Sequence, residues 1–197
     1  MIPLAAVLAC LFVVLAVLVQ RGGGVVVLDG LVQAALLPLR TRPVLLFFDW
    51  LTQSGTGGTG AAVGLAASAL LWSGGRGALV GPFWLAFVGA EATTWSVKFL
   101  LARVRPPFLE GLTAGSTSFP SAHATVSITV YGFLALAVAT AAPARWQAEI
   151  VVAGAALILL IGFSRLLLSL HYLSDVVGGF LVGAAWLLLA WRWVQAG

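Results

Sequence analysis

Residues 118–141 read SFPSAHATVSITVYGFLALAVATA, and the reading of this stretch decides the fold. It opens on Pro120-Ser121, with the serine where a helix N-cap belongs, and runs to Ala141 without a charged side chain, its one histidine, His123, lying near its start. About twenty such residues, at 1.5 Å rise each, cross the ~30 Å hydrocarbon core of a bilayer. The stretch is a membrane-crossing helix with a histidine at its mouth.

The rest of the chain has the same character. Of its 197 residues 61% are hydrophobic and 8% charged, and the mean hydropathy is +1.10, beyond what a soluble domain of this length keeps out of water. Apolar runs at residues 2–20, up to Trp72, 78–100, 147–168 and 172–192 add further crossings, giving about six in an all-α polytopic membrane protein. Long Leu/Ala/Val-rich runs exclude an outer-membrane barrel, whose strands alternate in polarity over about ten residues. Little is left over for a soluble domain, so residues 1–197 are read as one membrane-embedded domain. The first run lacks a basic flank and a convincing cleavage site and is read as a retained helix.

Residues 25–54 differ. They carry Asp29, Arg40, Arg42 and Asp49 and are broken by Pro38 and Pro43, a pattern of two short amphipathic helices at the interface. The following GTGGTG, Gly55 to Gly60, formally matches a dinucleotide-binding fingerprint, but no strand precedes it and no acid follows at the required distance. Close packing of helices through small residues explains it better. Net charge +4 comes from scattered cations, without the basic stripe that binds nucleic acid. The single Cys10 excludes an internal disulfide.

If the helices alternate, three separated stretches emerge on one face: residues 98–106, 120–123 and 164–175. They supply the cations Lys98, Arg105 and Arg165, the imidazoles of His123 and His171, the Ser121 hydroxyl and the Asp175 carboxylate. This is an anion site with acid–base groups. Phosphoryl transfer needs such parts, because its transition state spreads negative charge over oxygens that fixed cations can stabilise. Arginine grips two oxygens with a planar fork, lysine adds a point charge, and the helix from Ser121 turns its N–H groups toward the anion. Asp175 lies four residues after His171, on one helical face if the last helix has already begun there, and can fix the imidazole tautomer that leaves the other nitrogen nucleophilic. His123 can protonate a leaving oxygen and then deprotonate water. Two histidines and a carboxylate make a poor metal shell beside three cations, so neither metal nor cofactor is expected.

In order, the chain carries K-x6-R-P (Lys98, Arg105, Pro106), P-S-A-H (Pro120, Ser121, Ala122, His123) and S-R-x5-H-x3-D (Ser164, Arg165, His171, Asp175). This resembles the three-part signature of the type 2 phosphatidic acid phosphatase superfamily, in its integral-membrane branch. Three spaced motifs in order are far more specific than any one, and Ala122 stands where many members carry glycine. The resemblance implies a metal-independent phosphatase working through a phosphohistidine: His171 the nucleophile, Asp175 its orienting partner, His123 the general acid then base. It further implies that Lys98, Arg105, Ser121, Arg165 and the backbone at Ala122 hold the phosphoryl oxygens. The expected substrate is a lipid phosphate or diphosphate in the bilayer: a polyprenyl diphosphate, phosphatidylglycerophosphate or phosphatidic acid. The alternatives are an anion transporter or a catalytically silent scaffold.

Positive charge does not orient the chain, because removing the three phosphate-site cations leaves the two faces nearly balanced. The resemblance implies a bacterial cytoplasmic membrane and a site facing away from the cytoplasm. Glu91, on nearly the same face as Lys98, is expected either to support the site or pair with a cation, or else to be a packing acid without a catalytic part. Arg103 and Glu110 are expected to be solvated loop charges, and Trp191 with Trp193 an interfacial anchor.

Overall fold

A computed structural model describes residues 2–107 and 117–196; Glu110 lies outside them. Its helices are α1 (Ile2–Arg21), α2 (Gly24–Leu36), α3 (Arg42–Thr52), α4 (Gly57–Ser73), α5 (Val80–Leu101), α6 (Ala122–Ser127), α7 (Phe133–Ala139), α8 (Ala144–Leu167) and α9 (Leu173–Ala196), and no strand occurs among the described residues. A π-helical turn, Ile128–Gly132, joins α6 to α7, so the opening stretch forms the span Ala122–Ala139.

By length and apolarity four spans can cross a membrane: α1, α6–α7, α8 and α9. The pair α2–α3, each extended by a short 3-10 turn, makes a fifth only if counted as one span. It is bent by 119°, which suits two interfacial segments better than a straight crossing. Helices α4 and α5 stand where the other two crossings were expected, but α4 has only 17 residues and α5 carries Glu91 and Lys98.

Burial explains the arrangement. Helix α1 shows Leu4, Val7, Leu11, Val14 and Leu18 outward, an apolar surface that only lipid would tolerate in such amount. Its inner face holds Phe12, stacked on Phe119 at 5.6 Å between centroids, and this contact ties α1 to the chain entering α6. A buried apolar cluster joins Phe83 and Phe87 of α5 to Val126, Val130 and Phe133 of the α6–α7 span. Trp191 belongs beside it, edge-on to Phe133 at 5.5 Å. The expected anchor pair is therefore split: Trp191 turns inward and Trp193 stays 53% exposed.

The glycines after α3 serve close approach. A Cβ on Gly60 would come within 2.8 Å of Val126 and 2.9 Å of Phe87, so α4 reaches its neighbours only because side chains are missing there. Gly55, just before α4, is packed as closely: a Cβ there would come within 3.2 Å of His123.

Candidate active site

The turn between α8 and α9 sets the first part of the site. Helix α8 ends as the chain passes through Ser169 at φ 54°, a left-handed conformation that costs a non-glycine residue energy and needs bracing. The Leu170 and His171 N–H groups both close on the Arg165 carbonyl, at 3.0 and 3.1 Å. From α2, Gln33 donates to the His171 carbonyl at 2.9 Å and accepts from Ser169 Oγ at 3.0 Å. Arg40 donates to the Leu167 carbonyl at 2.8 Å and to Gln33 at 2.6 Å. The bent helical pair is thus the brace for the segment that carries His171.

His171 sits in this turn, two residues before α9, so its pairing with Asp175 does not come from a shared helical face. Asp175 is the third residue of α9 and reaches back to accept from the Tyr172 N–H at 2.8 Å, the reciprocal half of a capping box. That bond turns its Oδ2 toward His171 Nδ1, 3.5 Å away, and the Ser118 hydroxyl donates to the same oxygen. Burial holds the His171 pKa down at about 3, against the opposing pull of the Asp175 hydrogen bond and charge. The pair is therefore a neutral imidazole beside a carboxylate, with Nε2 free to act as a nucleophile.

The second part is the mouth of α6. Ser121 is fully buried and is the N-cap, its Oγ accepting from the Ala124 N–H at 3.5 Å. Its own N–H is used by the Asp175 carbonyl at 2.9 Å. Ala122 and His123 are the first two residues of the span, where a helix leaves N–H groups without carbonyl partners. Arg165, His171, Arg105 and Lys98 all act on His123 electrostatically, so each of the three sequence stretches contributes charge or imidazole to its surroundings.

The cations are held by the protein. Lys98 Nζ donates to the Thr117 and Ser118 carbonyls at 2.6 and 3.3 Å. Arg105 Nη1 donates to the Leu170 carbonyl at 2.9 Å, and burial lowers its pKa while Asp175 opposes this. Arg165 is 5% exposed and donates from Nη1 to Thr52 Oγ1 at 2.8 Å. Its Nε is buried without a partner among the described residues, a costly arrangement for a cationic donor.

Several residues here were missed or misread in the sequence. Arg103, expected as a solvated charge, instead bridges Asp29 and Asp175, at 2.8 and 2.6 Å. Asp29 was detectable in principle, as an acid in an otherwise apolar helix. Thr52, Ser118 and Gly55 gave no local signal, because what matters about each is a neighbour far away in sequence. Glu91 makes no ion pair with Lys98; its Oε2 accepts from Trp95 Nε1 at 3.3 Å, and its Oε1 is buried without a partner among the described residues.

The model of the PAP2 superfamily matches residues 79–197, more than half the chain. The chain belongs to the PAP2 superfamily. A curated PAP2-type relative, phosphatidylglycerophosphatase B of Bacillus subtilis (strain 168), is 32% identical over 89 residues, a match spanning 44% of this chain and 44% of that protein. The crystal structure of a transmembrane PAP2 type phosphatidylglycerolphosphate phosphatase from Bacillus subtilis superposes with a TM-score of 0.89, at 22% identity, over 98% of this chain and 96% of that one. At that identity the superposition speaks for the PAP2 transmembrane fold.

Proposed function

We propose that the chain is a membrane lipid phosphatase that hydrolyses a lipid phosphate or diphosphate through a phosphohistidine. The observation that carries this reading is the grouping of a neutral His171, oriented by Asp175, with His123 and the three cations that act on it electrostatically. The superfamily and the name of the curated relative support it.

In the first step His171 Nε2 would attack phosphorus. The bond from phosphorus to the lipid oxygen breaks as His123, protonated once the phosphate's negative charge is bound beside it, gives that oxygen its proton. Asp175 stabilises the positive charge that develops on the imidazole. Lys98, Arg105, Arg165, Ser121 and the N–H groups at Ala122 would hold the non-bridging oxygens, supplying from side chains the charge neutralisation phosphoryl transfer needs. In the second step His123 takes a proton from water, the hydroxide attacks phosphorus, and the P–N bond breaks to release phosphate.

The substrate is placed in the bilayer, its tail among the helices and its head at the mouth of α6, with the site facing away from the cytoplasm of a bacterial membrane. Phosphatidylglycerophosphate leads the substrate panel because the curated relative bears that name; phosphatidic acid and a polyprenyl diphosphate complete it. The test is phosphate release from this panel by purified protein in detergent with a chelator present. Wild type should release phosphate, and His171→Ala and His123→Ala should not. No release from any lipid rejects the proposal in favour of a transporter or scaffold, and release that survives His171→Ala rejects the phosphohistidine at that residue.

A further inference from the structure

Arg103 stands at an unspecified position inside the K-x6-R-P stretch, yet it is heavily engaged beside the site. Its Nη1 donates to Asp175 Oδ1 at 2.6 Å and to Ser174 Oγ at 2.7 Å, its Nη2 donates to Asp29 Oδ2 at 2.8 Å, and its guanidinium lies 4.4 Å over the Tyr172 ring. Asp29 also accepts from the Ser174 N–H at 2.9 Å and from Ser174 Oγ at 2.6 Å. An acid on α2 thus satisfies the first turn of α9, where the residue before the helix, Tyr172, has no capping oxygen.

We propose that Arg103 is a positioning residue for this reaction: clamped between Asp29 and Asp175, it prevents the carboxylate that orients His171 from rotating. The inference rests on the phosphatase reading above. Asp175 has two oxygens. Oδ2 serves His171, Tyr172 and Ser118, while Arg103 and nothing else among the described residues holds Oδ1. Without that bond the carboxylate can turn about its terminal torsion, which is broad and soft, and the imidazole loses its reference. Only a planar fork can reach two carboxylates in different directions at once. Burial alone would lower the Arg103 pKa, but Asp175 and Asp29 outweigh it and raise it, so the clamp keeps its charge. Asp29 and Asp175 are 1% and 0% exposed, so removing the cation leaves two buried carboxylates with less compensation. Because both terminal nitrogens are committed to protein oxygens, Arg103 acts on the reaction through Asp175.

The experiment compares Arg103→Met, Arg103→Lys and Asp29→Asn in the full chain in detergent, by steady-state phosphate release and by NMR of ¹⁵N-labelled histidine. The chain has two histidines, so His123→Ala assigns the His171 signals. Arg103→Met should lower kcat by about 100-fold with KM within about twofold, as loss of a ligand-orienting partner does. Arg103→Lys should recover part of the loss, and Asp29→Asn combined with Arg103→Met should be no worse than Arg103→Met alone. The His171 Nδ1 resonance should shift in Arg103→Met while the His123 signals stay in place. A raised KM at unchanged kcat would make Arg103 a phosphate ligand and overturn the clamp, as would an unchanged His171 resonance with kcat within twofold of wild type. If Arg103→Met does not fold, Arg103→Lys and Asp29→Asn carry the same readouts. Wild type that releases no lipid phosphate defeats the phosphatase reading alone, and the NMR comparison still decides the clamp.

Discussion

Adding one methyl group at Gly55 should weaken the leaving-group half of the reaction. A Cβ there would lie 2.7 Å from Ile161 Cγ2 and 3.2 Å from both Cβ and Cδ2 of His123, whereas carbon atoms rest at about 3.5–4.0 Å. The overlap is roughly 1 Å with Ile161 and about half that with the histidine. Ile161 is fully buried and branched at Cβ, so it yields little, and His123 at the helix mouth takes up the displacement. Overpacking of this kind costs about 1–3 kcal/mol of stability, and misplacing a catalytic group by about 1 Å costs about 100-fold in rate. Gly55→Ala should therefore slow the first turnover of a lipid phosphate by about 10- to 100-fold. The first turnover of p-nitrophenyl phosphate should be nearly unaffected, because p-nitrophenolate leaves without a proton and does not need His123 as an acid. Rapid-quench measurement of both substrates on folded protein makes the comparison, and Gly55→Ala/Ile161→Ala should restore part of the lipid rate by opening space on the other side. Equal slowing of both substrates, or wild-type behaviour on the lipid, refutes the reasoning.

Thr52→Val removes the acceptor from buried Arg165, and a hydrogen bond to a charged group contributes about 1.5–3 kcal/mol; thermal unfolding should show that loss, and inorganic phosphate should recover more stability in the variant than in wild type. Because the folded pKa of His171 is about 3, below the ordinary histidine value of about 6.5, its contribution to stability is fully present above that value and falls with pH by on the order of 1 kcal/mol per unit. The same ¹⁵N signals should show His171 neutral at pH 5, and titration near 6.5 would contradict the burial argument. Excess chelator should leave phosphate release unchanged, and a requirement for added divalent metal would count against cations supplied by side chains.

What was legible in the sequence follows from what each feature depends on. Four of the expected spans were readable because a membrane imposes one requirement, continuous apolar length, that a single run either meets or fails. The π-helical turn inside the opening stretch left no mark, since Ile128–Gly132 is as apolar as its flanks. His123, His171 and Asp175 were visible because ionisable groups are rare in such a chain and their spacing fell into motifs. Their relation was only partly readable: the four-residue interval suggested a helical face, whereas a capping box at the start of α9 makes the contact. Arg103 was misread because a loop charge beside prolines looks solvated until α2, some seventy residues earlier, brings Asp29 to it. Thr52 and Gly55 became visible only with the fold, since an ordinary threonine and a glycine among glycines acquire their roles from Arg165 and His123.

The central claim is that His171 and His123 act in succession on one phosphorus atom. The most direct measurement is capture of the phosphorylated protein during turnover of ³²P-labelled p-nitrophenyl phosphate, quenched in base, where phosphohistidine survives. The account predicts a label that maps to His171, is absent in His171→Ala, and accumulates in His123→Ala because the water-activating base is gone. A protein that turns over substrate without ever carrying the label, or a label that persists in His171→Ala, would contradict it.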